Sequence, residues 1–289
     1  MKKIYAVIFV FTLSVFLSAG QAAASIFATE LVDCSASLNG SSMYKDPDNL
    51  LGEPTLLIAQ WGGGTSHVSI VEPAYGANTL VTFTDDDWAV VKFDHQVEDD
   101  PNNPYGLDFT VFGNGMFAGS GFVYNDTDHR VYTLGNGNAA REPVMVSVSQ
   151  DGENWYTYEN GPYGDTAYPT NPWVWDPDLY DTTGVGWTDI KNDYTKPVDP
   201  SLTSTDFKGI PSYEAMLLYD GSAGGTAFDL AESGFEWIQY VKVSGISGSS
   251  LDGEIDAFAD IAPVPVPAAV WLLGSGLLAM VGIRRKSRD

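Results

Sequence analysis

The sequence predicts an all-β protein, an antiparallel β-sandwich of jelly-roll type, on three observations. Short runs rich in β-branched and aromatic residues recur along the body. Clusters of Gly, Pro, Asn and Asp separate most of them, and 30 Gly with 16 Pro in 289 residues suit such a chain better than a helical bundle. Helical periodicity is scarce and no βαβ alternation is visible, which argues against a parallel sheet.

In chain order, strands are expected at 79–83, 89–93, 107–112, 144–148, 155–158, 237–243 and 254–261. Val144, Val146 and Val148 share one face of their strand, with Met145 and Ser147 on the other. Asp151-Gly152 then turns the chain back toward Trp155 as a hairpin. In the last strand Ile255, Ala257, Ala259 and Ile261 alternate against Glu254, Asp256, Phe258 and Asp260. One short helix is expected at 212–218 and a single helical turn at 228–233. Residues 161–211 show no clear strand, and a structureless loop of that length is improbable in a compact domain. Part of it must therefore pack or form short elements.

Composition excludes several function classes. With 44% hydrophobic and 13% aromatic residues the chain can bury a core, so wholesale disorder is ruled out. Thirty-eight acids against 14 bases give a net charge of −24, which repels phosphate backbones and excludes nucleic acid as a partner. The single cysteine, Cys34, excludes an internal disulfide and a Cys-based zinc cluster, and reads as a small buried residue rather than a nucleophile. No His-Glu-x-x-His, Gly-x-Ser-x-Gly or Walker loop is present. Gly113–Ala118 mimics a dinucleotide loop, but Gly119 and Gly121 would break the helix such a loop opens, so it reads as a turn. His67, His95 and His129 are too scattered to build a zinc site by spacing.

The two ends suggest an address. Lys2 and Lys3, an apolar run and Ala22-Ala23-Ala24 make residues 1–24 a secretory signal peptide, cut between Ala24 and Ser25. Residues 25–262 form the β-sandwich body and 263–289 a membrane tail. Ala268 to Ile283 is free of charge, and counting from Val264 the segment reaches ~24 to ~30 Å as one short C-terminal transmembrane helix. Arg284, Arg285, Lys286 and Arg288 would stay on the cytoplasmic side.

Val264-Pro265-Val266-Pro267, the apolar segment with Gly274-Ser275-Gly276, and the Arg284-Arg285-Lys286 cluster together resemble a PEP-CTERM sorting tail. Position 266 is Val where that family has Glu. The resemblance implies export, anchoring in the inner membrane before processing, and handling by an exosortase, leading to the cell surface or extracellular matrix. The body resembles an exported bacterial cell-surface domain that often precedes such tails. The matching residues are Tyr44-Lys45-Asp46-Pro47-Asp48, Leu51-Gly52-Glu53-Pro54, Asp108 to Asn114, Val146 to Gly152 with Trp155-Tyr156, and Gly224-Gly225 with Phe228 to Ala231. That resemblance implies a sheet order like that of galactose-binding jelly rolls and assigns no catalytic residue.

Two candidate sites follow. Glu254 and Asp256 project from one strand face, roughly 6.6–7 Å apart, and like charges so placed call for a cation or donor. Galactose-binding jelly rolls commonly hold a structural Ca²⁺ between an early loop and the last strand, which would add Asp46 and Asp48 to the ligands. Alternatively these acids form a solvated edge. Tyr163, Tyr168, Trp173, Trp175, Tyr180, Trp187 and Tyr194 crowd the long loop, with Trp173 and Trp175 the expected exposed pair on which sugar rings could stack. The alternative is that these aromatics pin the loop to the sandwich. The expected function is that of a non-catalytic surface or matrix protein associating with exopolysaccharide. The alternatives are a structural spacer and a secreted carboxylate-based glycoside hydrolase, since carboxylate pairs arise by chance among 38 acids.

Overall fold

The computed structural model describes residues 24–60 and 63–261. Residues 1–23 of the expected signal peptide lie outside them, as do the expected membrane helix and the sorting residues Val264, Pro265, Val266, Pro267, Arg284, Arg285 and Lys286. Among the described residues no helix is long and apolar enough to cross a membrane.

The chain forms antiparallel sheets joined by long irregular segments. The first strands are β1 (Glu30–Cys34), β2 (Leu57–Ala59), β3 (Thr65–His67), β4 (Val81–Phe83) and β5 (Trp88–Glu98). Next come β6 (Phe109–Gly113), β7 (Met116–Gly119), β8 (Leu134–Ala140), β9 (Met145–Ser149) and β10 (Tyr156–Thr157). The outer segments hold β11 (Trp173–Trp175), α1 (Pro177–Thr183), β12 (Trp187–Lys191), α2 (Ser204–Phe207) and α3 (Ser212–Leu218). The chain closes with β13 (Thr226–Phe228), β14 (Trp237–Ser244) and β15 (Gly253–Asp260). Each expected strand has its counterpart in β4, β5, β6, β9, β10, β14 or β15, and the expected helix is α3.

Two larger sheets carry the architecture. Their orders are β1-β5-β14-β9-β10 and β13-β6-β15-β4, with every neighbour antiparallel. Val144, Val146 and Val148 from one side meet Phe109, Val111, Ile255 and Phe258 from the other in one buried cluster. The alternation read from the valine run is what feeds this core, since every second residue of a strand faces the same way.

β15 departs from the expected alternation. Ile255 pairs with Gly113 and Ala257 with Phe112, so Asp256 is an extra residue opposite no partner, a β-bulge. Beyond it the facing switches. Phe258 joins Ile255 in the inter-sheet core, while Ala257 and Ala259 pack on the opposite face with Phe112, Tyr194 and Ala223. The four-stranded sheet is thereby covered on both faces, which explains why all of β6 is buried.

The long stretch at 161–211 is an outer layer rather than a free loop. It supplies β11, α1, β12 and α2, and with the β7–β8 hairpin and α3 it builds a second core around Trp175, Trp187, Phe117, Phe207, Met216 and Tyr219. Asp176 caps α1 by accepting the Asp178 N–H at 2.8 Å, and Gly184, at φ 76°, ends it in the left-handed region. Gly225, at φ +88°, brings the chain so close to β6 that a Cβ would lie 2.3 Å from Thr110 Cγ2.

Candidate functional site

Each of the four acids expected to share a cation has its own surroundings. Asp46 caps the short helical turn Pro47–Leu50 by accepting the Asp48 N–H at 3.2 Å, and the Asp48 side chain is exposed. Glu254 accepts hydrogen bonds from Thr82 Oγ1 at 2.9 Å and from Asn114 Nδ2. Asp256 is buried and accepts from Thr55 N at 2.7 Å and Thr55 Oγ1 at 3.1 Å. Among the described residues no three of Asp46, Asp48, Glu254 and Asp256 gather within 4.8 Å. The bulge at Asp256 removes the period-two argument that placed Glu254 and Asp256 on one face. Burial pushes Asp256 up to about 8 and raises Glu254 as well, the latter helped by the neighbouring Glu142 charge. Asp165, beneath Gly113 and Gly115, is pushed up to about 8 by burial although it accepts from Gly115 N and Glu142 N at 2.9 and 3.0 Å.

A different acidic group could hold a metal ion such as Ca²⁺. Asp99, Asp108 and Asp229 each offer a carboxylate oxygen within 4.8 Å of the others. Sheet register assembles them: β13 pairs with β6 so that Phe228 faces Phe109, which sets Asp229 beside Asp108. Asp99 arrives from the end of β5 and donates its N–H to Glu236 O at 3.0 Å. Asp108 is fully buried; it accepts from Asp100 N at 3.0 Å, Asn103 Nδ2 at 3.1 Å and Leu230 N at 2.8 Å. Burial outweighs those bonds and pushes Asp108 up to about 6, and Asp99 is raised by burial and by the Asp229 and Asp100 charges. Three carboxylates without a cation repel one another, and an oxygen-seeking divalent ion would relieve that, with waters or carbonyls completing its shell. The three are spread over 99–229, so no local spacing announces them; Asp108 and Asp229 were visible only as residues of the family resemblance.

The expected aromatic platform is largely a core. Trp175 is 4% exposed and packs on Tyr180, Tyr213 and His129, correcting the expectation that it is open to solvent. Its pairing with Trp187 across β11–β12 turns it inward. Trp173 is half-buried, donates its Nε1–H to Leu56 O at 3.0 Å, and lies edge-on to His67. The pinning alternative therefore describes Trp175, and Trp173 borders a cavity of about 240 Å³ with Asn171, Asn192 and Asp220.

An exposed aromatic shelf exists elsewhere. A cleft of about 470 Å³ is lined by Gln60, Glu72, Tyr75, Phe122, Val123 and Tyr124. Phe122 is 87% exposed and Tyr124 54%. Their loop connects β7 to β8 and is tied down at its base and along its course: Ser120 N donates to Thr133 O at 2.9 Å, Tyr124 N to Thr127 Oγ1 at 2.8 Å, and His67 Nδ1 lies 2.8 Å from Asn125 Oδ1. Opposite stands Glu72, held by the tight turn Ser69–Glu72 and accepting from Ser66 Oγ at 2.5 Å and Gln60 Nε2 at 3.3 Å. Burial raises the Glu72 carboxyl, and burial with the Glu72 charge raises the Tyr75 hydroxyl. The sequence signal was available: three apolar residues, Phe122-Val123-Tyr124, stand between Gly119-Ser120-Gly121 and Asn125-Asp126. An apolar run inside turn-forming residues has no strand or helix to bury it. The chain matches no protein-family model, and no curated protein matches it.

Proposed function

We propose that this is an exported, non-catalytic protein of the cell surface or extracellular matrix that binds exopolysaccharide. In this reading residues 1–24 are cleaved, and the C-terminal helix holds the chain in the inner membrane until an exosortase-type enzyme acts on the Pro-x-Pro tail. The observation that carries the binding function is the open cleft lined by Tyr75, Phe122 and Tyr124 together with Glu72 and Gln60. Sugar rings pack their C–H faces on aromatic side chains, and carboxylate and amide groups take their hydroxyls. Five- and four-stranded antiparallel sheets on a shared core support the jelly-roll, galactose-binding-like assignment. The structural cation of such a scaffold would be Ca²⁺, at Asp99, Asp108 and Asp229. Export has a local correlate: Ser25 N lies 3.1 Å from Asp94 Oδ2, so cleavage before Ser25 would leave the new ammonium beside a carboxylate.

The test is retention on immobilised glycans, with a Phe122→Ala/Tyr124→Ala double variant as the control. Wild-type protein is expected to bind, and the double variant to lose about tenfold or more, since each aromatic contact is worth roughly 0.5–1.5 kcal/mol. Binding that survives in the double variant, or no binding by the wild type, contradicts the proposal. Release of reducing sugar by the same preparation would favour the hydrolase alternative instead.

A further inference from the structure

We infer that the glycan taken by this cleft carries free amino groups, as a partly de-N-acetylated amino-sugar polymer does, with its ammonium groups drawn to Glu72 and the surrounding aromatic faces. The inference rests on the glycan-binding reading and specifies the ligand class. Glu72 is 8% exposed yet lines the cleft, and among the described residues it forms no ion pair. Both of its bonded partners, the Ser66 hydroxyl and the Gln60 amide nitrogen, donate to it. Donors on both oxygens suit the ionised carboxylate, which only accepts. A buried anion without a counter-charge is costly, and a cation brought by a ligand removes that cost.

The other walls point the same way. Tyr75, Phe122 and Tyr124 line the same cleft as Glu72, and aromatic rings, whose quadrupole attracts cations, beside a carboxylate are suited to an ammonium group. The chain carries a net charge of −24, so its field concentrates cationic ligands and repels uronate or phosphate-bearing glycans. A neutral sugar would use the shelf but leave Glu72 uncompensated. Amino sugars with free amines use both features.

The experiment uses the full chain purified in detergent and compares a glucosamine hexamer, its fully N-acetylated counterpart, a neutral β-glucan hexamer and a uronate oligomer by calorimetry. The glucosamine hexamer is expected to bind at least tenfold more tightly than the N-acetylated form, to weaken as salt rises, and the uronate oligomer not to bind. Glu72→Gln is expected to abolish the preference for the free amine. Phe122→Ala/Tyr124→Ala is expected to weaken the glucosamine and N-acetylated hexamers alike. The comparison among oligomers needs no variant, so a Glu72→Gln protein that fails to fold leaves the test intact. Equal or tighter binding of the N-acetylated or neutral hexamer overturns the amine inference while the glycan reading stands. Glucosamine binding that ignores both sets of substitutions is diffuse charge attraction and also overturns it. If no oligomer binds, both readings fall.

Discussion

Between the two large sheets, core side chains come off regular ladders; in the outer layer they come off short, irregular pieces. Val146, Val148, Val241 and Val243 reach the inter-sheet core from antiparallel neighbours, and their backbone groups are satisfied by the same ladders. The outer layer instead packs His129 edge to face against Trp175 and Trp187, with Tyr213 tilted against Trp175, at ring-centroid distances of 5.0–5.5 Å. Some of its polar groups are satisfied singly, as when Tyr168 OH donates to Asp199 O at 2.6 Å and Tyr219 OH to Pro169 O at 3.1 Å, while Trp175 Nε1 and His129 Nε2 are buried without a hydrogen-bond partner. The difference teaches where function can sit. A ladder core tolerates little change, whereas loops on a rigid scaffold can expose residues such as Phe122 and Tyr124 without unfolding it.

The largest effect should come from the ladder core. Phe258→Ala removes a fully buried ring and is expected to cost about 3–5 kcal/mol in urea unfolding. Trp175→Ala, near the lower end of that range at about 3 kcal/mol, should speed amide hydrogen exchange first in β11 and β12. Equal acceleration in β9 and β14 would show that the two regions unfold as one and would erase the comparison.

A pH scan sharpens it next. Asp256 and Asp165, near 8, and Asp108, near 6, all titrate above an ordinary aspartate, so the native state holds protons that the unfolded chain has released. Their stabilisation is therefore present at the acid end of the window and lost as pH rises through 6 to 8. His95, raised by its bond to Asp260, contributes in the same direction, its support fading as pH climbs past its folded value. The melting temperature is expected to fall between pH 5 and pH 9, and Asp256→Asn to flatten that fall. A melting temperature that rises over the same range contradicts the burial argument.

Millimolar Ca²⁺ is expected to raise the melting temperature at pH 7.5, by about 2.7 kcal/mol of stability if the ion is at 100 times its Kd. Asp108→Asn should remove that increment, and identical melting with calcium and with chelator would remove the ion from the account. The smallest effect belongs to Asp94→Asn. If the proposed cleavage before Ser25 takes place, loss of this exposed pair should cost no more than about 1 kcal/mol, seen as a lowered pKa of the new α-amino group by NMR.

Legibility followed the same division. The valine alternation at 144–148, the hairpin at Asp151-Gly152 and the helix Ser212–Leu218 were readable because each depends on neighbours in sequence. β1 was not, since Glu30–Cys34 alternates poorly and pairs on one side only, with β5. The bulge at Asp256 was not, because one unpaired residue leaves no mark in composition yet reverses the face of everything after it. Asp99, Asp108 and Asp229 meet only through strand register, and Glu72 meets Phe122 only because a turn and a hairpin loop close over the same space.

The claim that the cleft, rather than the tryptophan layer, is the binding surface is tested most directly by hydrogen exchange on the full chain with and without the glucosamine hexamer. The account predicts slowed exchange at 66–75 and 120–125, with 171–175 unchanged. Protection centred on Trp173 and Asn171, or none anywhere at saturating ligand, would contradict it.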